Sequence, residues 1–161
     1  MNKKILIYVL IFWLSALALF VAYQEFTKVT GEEVEFEITR VSQDNFPQRQ
    51  LTLTYNITMV STNKSVSNVE FGADVYVKLN TSGRYATAAS IHRQKPDGLS
   101  IRGEVMRFPG DEFRIRYGIE RYFISQDSGS IWATNRSAII AIDRFGRAAI
   151  KEVRIGDEVL A

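Results

Sequence analysis

The chain begins with a long apolar run, and the rest of it alternates repeatedly between apolar and polar residues. The run extends from Ile5 to Tyr23 and contains no charged residue. As an α-helix it would span about 28 Å, close to the roughly 30 Å hydrocarbon core of a bilayer. The pattern therefore predicts a single membrane-spanning helix over residues 5–23, with the lipid bilayer as its partner.

The charges on either side of this run predict its orientation. Lys3 and Lys4 precede the run, whereas most charged residues just after it are glutamates. Because basic residues stay on the cytoplasmic side of a span, residues 1–4 are predicted to be cytoplasmic. The helix is expected to anchor the protein in the cytoplasmic (inner) membrane as a single-pass segment, with the remaining chain outside.

A cleaved signal peptide is the alternative interpretation of the run. Ala16-Leu17-Ala18 resembles a cleavage site after an apolar stretch of suitable length. The apolar run nevertheless continues beyond that site as far as Tyr23. The sequence therefore favours an uncleaved anchor and leaves cleavage after Ala18 open.

Beyond a predicted linker over residues 24–31, the alternation has a period of two residues and almost no helical periodicity. The clearest predicted strand runs from Leu51 to Met59, with apolar residues on one face and Thr or Asn on the other. Further candidate strands cover residues 34–38, 74–79, 86–92, 99–108, 113–124, 138–142 and 148–155. Residues 32–161 are therefore predicted to form one all-β, mainly antiparallel domain, either a small sandwich or a partly closed barrel.

One hairpin can be predicted with its turn. The last two candidate strands flank residues 143–147, where Gly146 can take the positive φ of a tight return.

Composition excludes several kinds of chemistry. Cysteine is absent, so disulfides, thiol nucleophiles, sulfur metal ligands and a lipid-modified cysteine are excluded.

All 18 acidic residues follow the apolar run, whereas Lys3 and Lys4 precede it, so the net charge of +2 comes from the cytoplasmic end. The outer part is electrically balanced, its arginines alternate with apolar residues as on the solvent side of strands, and no nucleic-acid partner is predicted.

No catalytic or metal-binding motif is recognisable. His92 is the only histidine, and no carboxylate lies near it at ligand spacing, so no metal or cofactor is predicted. Lys64 with Ser65 could imitate a serine–lysine peptidase pair, but the chain lacks the Ser-Met box of such enzymes. Asp74 and Glu104 could act together in a hydrolase only if the strand register brought them close. We therefore predict no catalytic residues and expect that the protein is not an enzyme.

The densest segment, Tyr117 to Ile124, combines aromatic and charged residues. As a single strand it would place Arg121 among aromatic residues on one face and Glu120 beside Tyr122 on the other. A structural interpretation pairs the core-facing charge with a neighbouring strand, because an unpaired buried charge is strongly destabilising. A functional interpretation makes the segment a groove for a ligand or partner.

The same segment, from Tyr117 to Phe123, resembles the YGIERYF motif of the GDYXXLXY family of bacterial membrane-anchored proteins of unknown function. The name-giving motif of that family is similar to residues 44–55, where Phe46, Leu53 and Tyr55 are in register. Gln48-Arg49-Gln50 stands where the family has Gly-Asp-Tyr. If the triplet formed a site in the family, the resemblance implies that this chain has lost or altered it.

A third segment, Gly146 to Lys151, follows in the family's order, so the resemblance covers nearly the whole chain. Family members are often encoded beside multi-pass membrane proteins, which implies a partner of that kind. The residues singled out as an interaction or structural motif are Tyr117, Gly118, Glu120, Arg121, Tyr122, Phe123, Leu53 and Tyr55.

These features together predict a single-pass membrane-anchored accessory or interaction protein of a membrane protein assembly. Its contacts could involve Ala18 and Ala22, which have a spacing that permits close helix packing, or a partner strand added near Tyr117 to Phe123. The alternatives are an envelope hydrolase or a small-ligand-binding module with an unidentified site.

Overall fold

A computed structural model describes residues 3–44, 50–64, 69–106, 112–124, 135–156 and 158–160. Within these ranges the chain forms one α-helix, eleven strands and a short 3₁₀ turn at Thr62–Lys64. The elements are α1 (Lys3–Thr30), β1 (Glu32–Asp44), β2 (Gln50–Tyr55), β3 (Met59–Ser61), β4 (Asp74–Asn80), β5 (Thr87–His92), β6 (Ser100–Met106), β7 (Glu112–Arg116), β8 (Arg121–Phe123), β9 (Arg136–Ile142), β10 (Ala148–Ile155) and β11 (Glu158–Leu160).

Helix α1 contains the apolar run and extends beyond it. The segment Ile5–Ala22 is apolar enough to cross a membrane, and none of it is buried against the rest of the protein. The helix continues to Thr30, so residues 24–30, which were expected to form a linker, are helical instead. This extension contains no proline or glycine, and Lys28 pairs with Glu25 one turn earlier at 2.8 Å, a spacing that supports a helix.

The strands form two antiparallel sheets, which confirms the predicted fold class. The larger sheet has the order β11-β10-β9-β1-β2-β8 and is nearly closed like a barrel; the smaller sheet has the order β3-β7-β6-β4-β5 and forms a half-barrel. The Tyr122 hydroxyl on edge strand β8 donates a hydrogen bond to the Leu160 carbonyl on the opposite edge strand, β11, at 2.8 Å. This side chain therefore bridges the two edges of the larger sheet.

Strand β1 shows the predicted alternation and then changes its phase. Val34, Phe36 and Ile38 are buried, as their spacing predicts. The pairing of β1 with β2 shifts register between Ile38 and Arg40, and after this bulge it is Val41 that is buried. An extra residue at a bulge reverses which side chains face the core, so β1 keeps an apolar inner face along its length.

The predicted strand from Leu51 to Met59 is interrupted by a turn. Strand β2 ends at Tyr55 in the larger sheet, and β3 begins at Met59 in the smaller one. Between them, the Tyr55 amide donates to Thr58 Oγ1 and the Thr58 amide donates to the Tyr55 carbonyl, both at 3.0 Å. The alternation correctly identifies Leu51, Leu53, Tyr55 and Ile57 as buried, but Thr58, which it placed on the polar face, is buried too, and Met59 is only half-buried.

The predicted strand from Phe113 to Ile124 is likewise divided, and treating it as one strand was wrong. Strand β7 ends at Arg116 in the smaller sheet, and β8 begins at Arg121 in the larger one. Gly118 lies between them with φ +81°, a conformation that glycine adopts without steric cost. The chain therefore crosses between the sheets a second time.

The predicted β9–β10 hairpin is confirmed, with Gly146 at φ +81° in its turn. Asp143 Oδ1 accepts hydrogen bonds from the amides of Phe145 and Arg147, both at 2.8 Å. The Arg102 amide of β6 donates to the Gly146 carbonyl at 2.7 Å. Because β7 pairs with β6 only through the residues from Glu104 onward, the hairpin turn occupies the edge of β6 that β7 leaves uncovered.

Candidate functional site

The two crossovers between the sheets lie against each other and exchange tyrosine hydrogen bonds. The Tyr55 hydroxyl, from the first crossover, donates to the Ile119 carbonyl in the second at 2.7 Å. The Tyr117 hydroxyl, from the second, donates to the Ile57 carbonyl in the first, also at 2.7 Å. Both tyrosines are buried. We call residues 55–58 and 117–120 together the crossover junction.

Backbone contacts tie this junction to the neighbouring strands. The Leu53 amide donates to the Glu120 carbonyl at 2.7 Å, and the Ile115 amide donates to the Thr58 carbonyl at 2.9 Å. Gly103 on β6 leaves room for the Tyr117 ring, since a Cβ atom there would lie only 3.0 Å from Tyr117 Cδ1. The junction is therefore a packed part of the fold.

Glu120 and Arg121 differ from their predicted roles. A carboxylate oxygen of Glu120 accepts a hydrogen bond from the Tyr117 amide at 2.5 Å, within its own turn. Arg121 is exposed. Arg121 is therefore not a core-facing charge on a single strand, because the chain leaves the strand conformation at Gly118 and Arg121 emerges on the solvent side.

The environment of the two junction tyrosines keeps them protonated. Burial raises the pKa of the Tyr55 and Tyr117 hydroxyls far above the ordinary value of 10.0, and the negative charge of Glu120 raises it further. A tyrosine that keeps its proton at physiological pH donates hydrogen bonds and does not serve as a general base. The arrangement around both hydroxyls therefore suits structural hydrogen bonding.

The candidate residues from the sequence fall into two groups. Six of them have a role within the fold. Four make hydrogen bonds at or beside the junction, namely Leu53, Tyr55, Tyr117 and Glu120. Gly118 supplies the positive φ of the second crossover, and Tyr122 bonds to β11. The other two face solvent on β8. Arg121 is exposed, and 60% of the Phe123 side chain is accessible. Arg121 and Phe123 are thus exposed side chains of this motif that another molecule can reach.

A groove of about 290 Å³ lies beside the junction and contains two carboxylates. The β4–β6 register places Asp74 directly opposite Glu104, the pair whose proximity the sequence could not determine. Arg102 contacts Asp74 at 2.7 Å, and Arg116 contacts Glu104; these hydrogen bonds and charges raise the pKa of both guanidinium groups. Each carboxylate of this pair is therefore bound to an arginine.

Other residues considered for chemistry make ordinary polar contacts. Lys64 Nζ donates to the Ala88 carbonyl at 2.7 Å, while Ser65 lies outside the described residues. His92 Nε2 is 2.8 Å from Ser90 Oγ. Within the described ranges, no group of three or more histidine, aspartate or glutamate side chains could hold a metal ion.

A second, larger surface was missed by sequence reasoning. Two adjoining grooves share Thr52, Thr54 and Arg114, and they are further lined by Arg40 and Arg121. Alternation did predict that Arg114 is exposed, as it is. It could not indicate that arginines from different sheets line the same surface, because that depends on the two crossovers.

Comparison with known proteins gives one match. The model of a family described as GDYXXLXY protein matches residues 13–153. The matched range includes both halves of the crossover junction and all of the β9–β10 hairpin except the last two residues of β10. No curated protein and no solved structure matches the chain.

Proposed function

The chain belongs to the GDYXXLXY family, and on this premise we propose that it is a single-pass membrane-anchored interaction protein of a membrane protein assembly. The supporting observation is the helix at Ile5–Ala22, which is apolar and has no part buried against the rest of the protein. An apolar surface of this size is unfavourable in water and is covered in a bilayer. We infer that α1 is embedded in the cytoplasmic membrane.

The proposed orientation follows from charge. Lys3 and Lys4 precede the span, and glutamates predominate after it, so the N-terminus is cytoplasmic and the β domain lies outside. Helix α1 runs without a break to Thr30, and β1 begins at Glu32. Because no long flexible linker separates them, the anchor holds the β domain close to the membrane, where it can reach the outer surface of a multi-pass protein.

The proposed contact surface on the domain is the edge strand β8. In the part of the chain that the structure describes, β2 is the only strand whose backbone pairs with β8, and β11 is joined to β8 through the Tyr122 hydroxyl. Phe123 on this strand is 60% exposed. A strand edge with unpaired backbone groups beside an exposed aromatic side chain suits the addition of a partner strand, with backbone hydrogen bonds for affinity and the aromatic ring for packing.

Co-purification of the full-length protein from its own membranes tests this proposal. Two variants separate the contacts: one carries an unrelated span in place of residues 5–22, and the other is Phe123→Ser. Phe145→Ser is the matched control, because Phe145 is also exposed, at 51%, but lies in the β9–β10 turn.

We expect the wild-type protein and Phe145→Ser to recover the same integral membrane protein in stoichiometric amount. We expect the span swap or Phe123→Ser to lose it, which would locate the contact in the helix or on β8. Recovery of the protein alone would contradict the proposal, and so would retention of the partner by both variants.

A further inference from the structure

The grooves that share Thr52, Thr54 and Arg114 form a continuous surface on the outside of the larger sheet. Their volumes are about 670 Å³ and 550 Å³. The lining side chains are polar or charged over much of this surface. We call it the arginine groove and define it by Arg40, Thr52, Thr54, Arg114, Glu120 and Arg121.

Strand pairing fixes the positions of the three arginines. Arg40 on β1 is opposite Thr54 on β2, and Arg121 on β8 is opposite Thr52. Strand spacings of about 4.8 Å and a rise of about 3.4 Å per residue place the Cα atoms of Arg40 and Arg121 roughly 12 Å apart. Arg114 reaches the same surface from β7 of the smaller sheet. The threonines therefore lie between guanidinium groups that come from three strands.

The charges in this groove are not neutralised as they are elsewhere. Exposed arginines on other strands contact carboxylates, namely Arg102, Arg116 and Arg154. Among the side chains that the structure describes, which do not include that of Asp44, no carboxylate contacts Arg40, Arg114 or Arg121. The one acid lining the groove, Glu120, accepts a hydrogen bond from the Tyr117 amide. The groove therefore carries an excess of positive charge, which raises the local concentration of anions.

The donors in the groove suit phosphate groups. A guanidinium group presents a planar fork of N–H donors that matches phosphate oxygens, and threonine hydroxyls add further donors. Arginine side chains are long enough for guanidinium groups on Cα atoms roughly 12 Å apart to converge on one phosphate or to bind neighbouring phosphates. We propose that the arginine groove binds a phosphate-bearing ligand. A soluble polyphosphate or the headgroups of an anionic lipid would both provide this chemistry.

Binding to defined probes tests the proposal. The full-length protein is placed in phosphatidylcholine nanodiscs and titrated with sodium tripolyphosphate in a calorimeter at low ionic strength. The test variant is Arg40→Gln with Arg114→Gln, which leaves β8 unchanged. The control is Arg154→Gln, an exposed strand arginine outside the groove. Because all three side chains are exposed, the variants are expected to keep the fold, which circular dichroism checks.

We expect the double variant to bind tripolyphosphate about tenfold more weakly or worse, because each lost guanidinium removes charge-assisted hydrogen bonds. The control should remain within about twofold of the wild-type affinity. A second experiment measures how much of the protein in nanodiscs floats with phosphatidylglycerol vesicles and how much floats with phosphatidylcholine vesicles. Arginine-dependent binding of tripolyphosphate alone identifies a soluble ligand, and arginine-dependent binding of phosphatidylglycerol vesicles alone identifies lipid headgroups.

Two results would overturn the proposal. The first is a wild-type protein that binds neither tripolyphosphate nor phosphatidylglycerol vesicles. The second is a double variant that binds either probe as tightly as the wild type, since binding would then not involve the arginine groove. Neither result bears on the partner-binding role of β8, which is tested through Phe123.

Discussion

Replacing Tyr117 with phenylalanine removes one hydroxyl group from the crossover junction and leaves the ring in place. The Ile57 carbonyl then loses a hydrogen bond of 2.7 Å from a side chain that is only 7% exposed. A buried acceptor that loses its donor costs about 1–3 kcal/mol. At about 4 °C per kcal/mol for a domain of this size, we expect the melting temperature to fall by about 4–12 °C.

Thermal unfolding of the full-length protein in a mild detergent, followed by near-ultraviolet circular dichroism, measures this change. Tyr85→Phe is the matched control, because the Tyr85 hydroxyl is 3.2 Å from Asn135 Oδ1 in an exposed position, and its loss should cost less than about 0.5 kcal/mol. If Tyr117→Phe unfolds at the wild-type temperature, or if both variants show the same shift, the buried hydroxyl does not stabilise the junction.

Three further outcomes follow from the same junction. Gly103→Ala should lower the free energy of unfolding by about 1–3 kcal/mol through overpacking, since the new Cβ would lie 2.5 Å from the Ile115 side chain. Gly83→Ala is the control and should be nearly neutral, because the nearest atom to its Cβ would be 3.5 Å away. Urea unfolding measures both variants. Glu120→Ala removes the acceptor for the Tyr117 amide and should lower the free energy of unfolding by about 1–2 kcal/mol. Glu120→Gln keeps an oxygen acceptor, so its free energy of unfolding should fall less. Equal losses in the two variants would contradict the assigned contact. The pKa values of Tyr55 and Tyr117 are raised in the folded protein, so just above pH 10 only the unfolded chain loses these protons. The free energy of unfolding is therefore at its full value below pH 10. Above pH 10 it falls by up to about 1.4 kcal/mol per pH unit for each tyrosine. Melting temperatures measured from pH 8 to 11 check this, and Tyr117→Phe should show the shallower decline.

Alternation along the chain predicted burial better than it predicted strand boundaries. Leu53, Tyr55 and Ile57 are all buried as expected, although Ile57 lies in a turn between the sheets. The turn at residues 56–58 keeps Ile57 directed inward and then shifts the alternation, since Thr58 and Val60 are the next buried residues. It contains no glycine or proline, so no residue marks the crossover. At the second crossover a signal does exist, because Gly118 interrupts the apolar pattern and has a positive φ.

The contacts of the candidate site depend on pairs of residues far apart in the sequence. Tyr55 bonds to the Ile119 carbonyl, and Arg40 and Arg114 line one groove. Such contacts require the strand order and register, which a single sequence does not specify. Resemblance to the family motif identified residues of the junction as important, but their division into buried contacts and the exposed pair on β8 required the structure.

Photo-cross-linking from position 123 tests most directly whether this protein presents β8 to a membrane partner. Benzoylphenylalanine replaces Phe123 in the full-length protein in its own membranes, and a second protein carries it in place of Phe145, which is similarly exposed at 51%. We expect an adduct with an integral membrane protein from position 123 and none from position 145. Absence of an adduct from position 123, or the same adduct from both positions, would contradict this expectation.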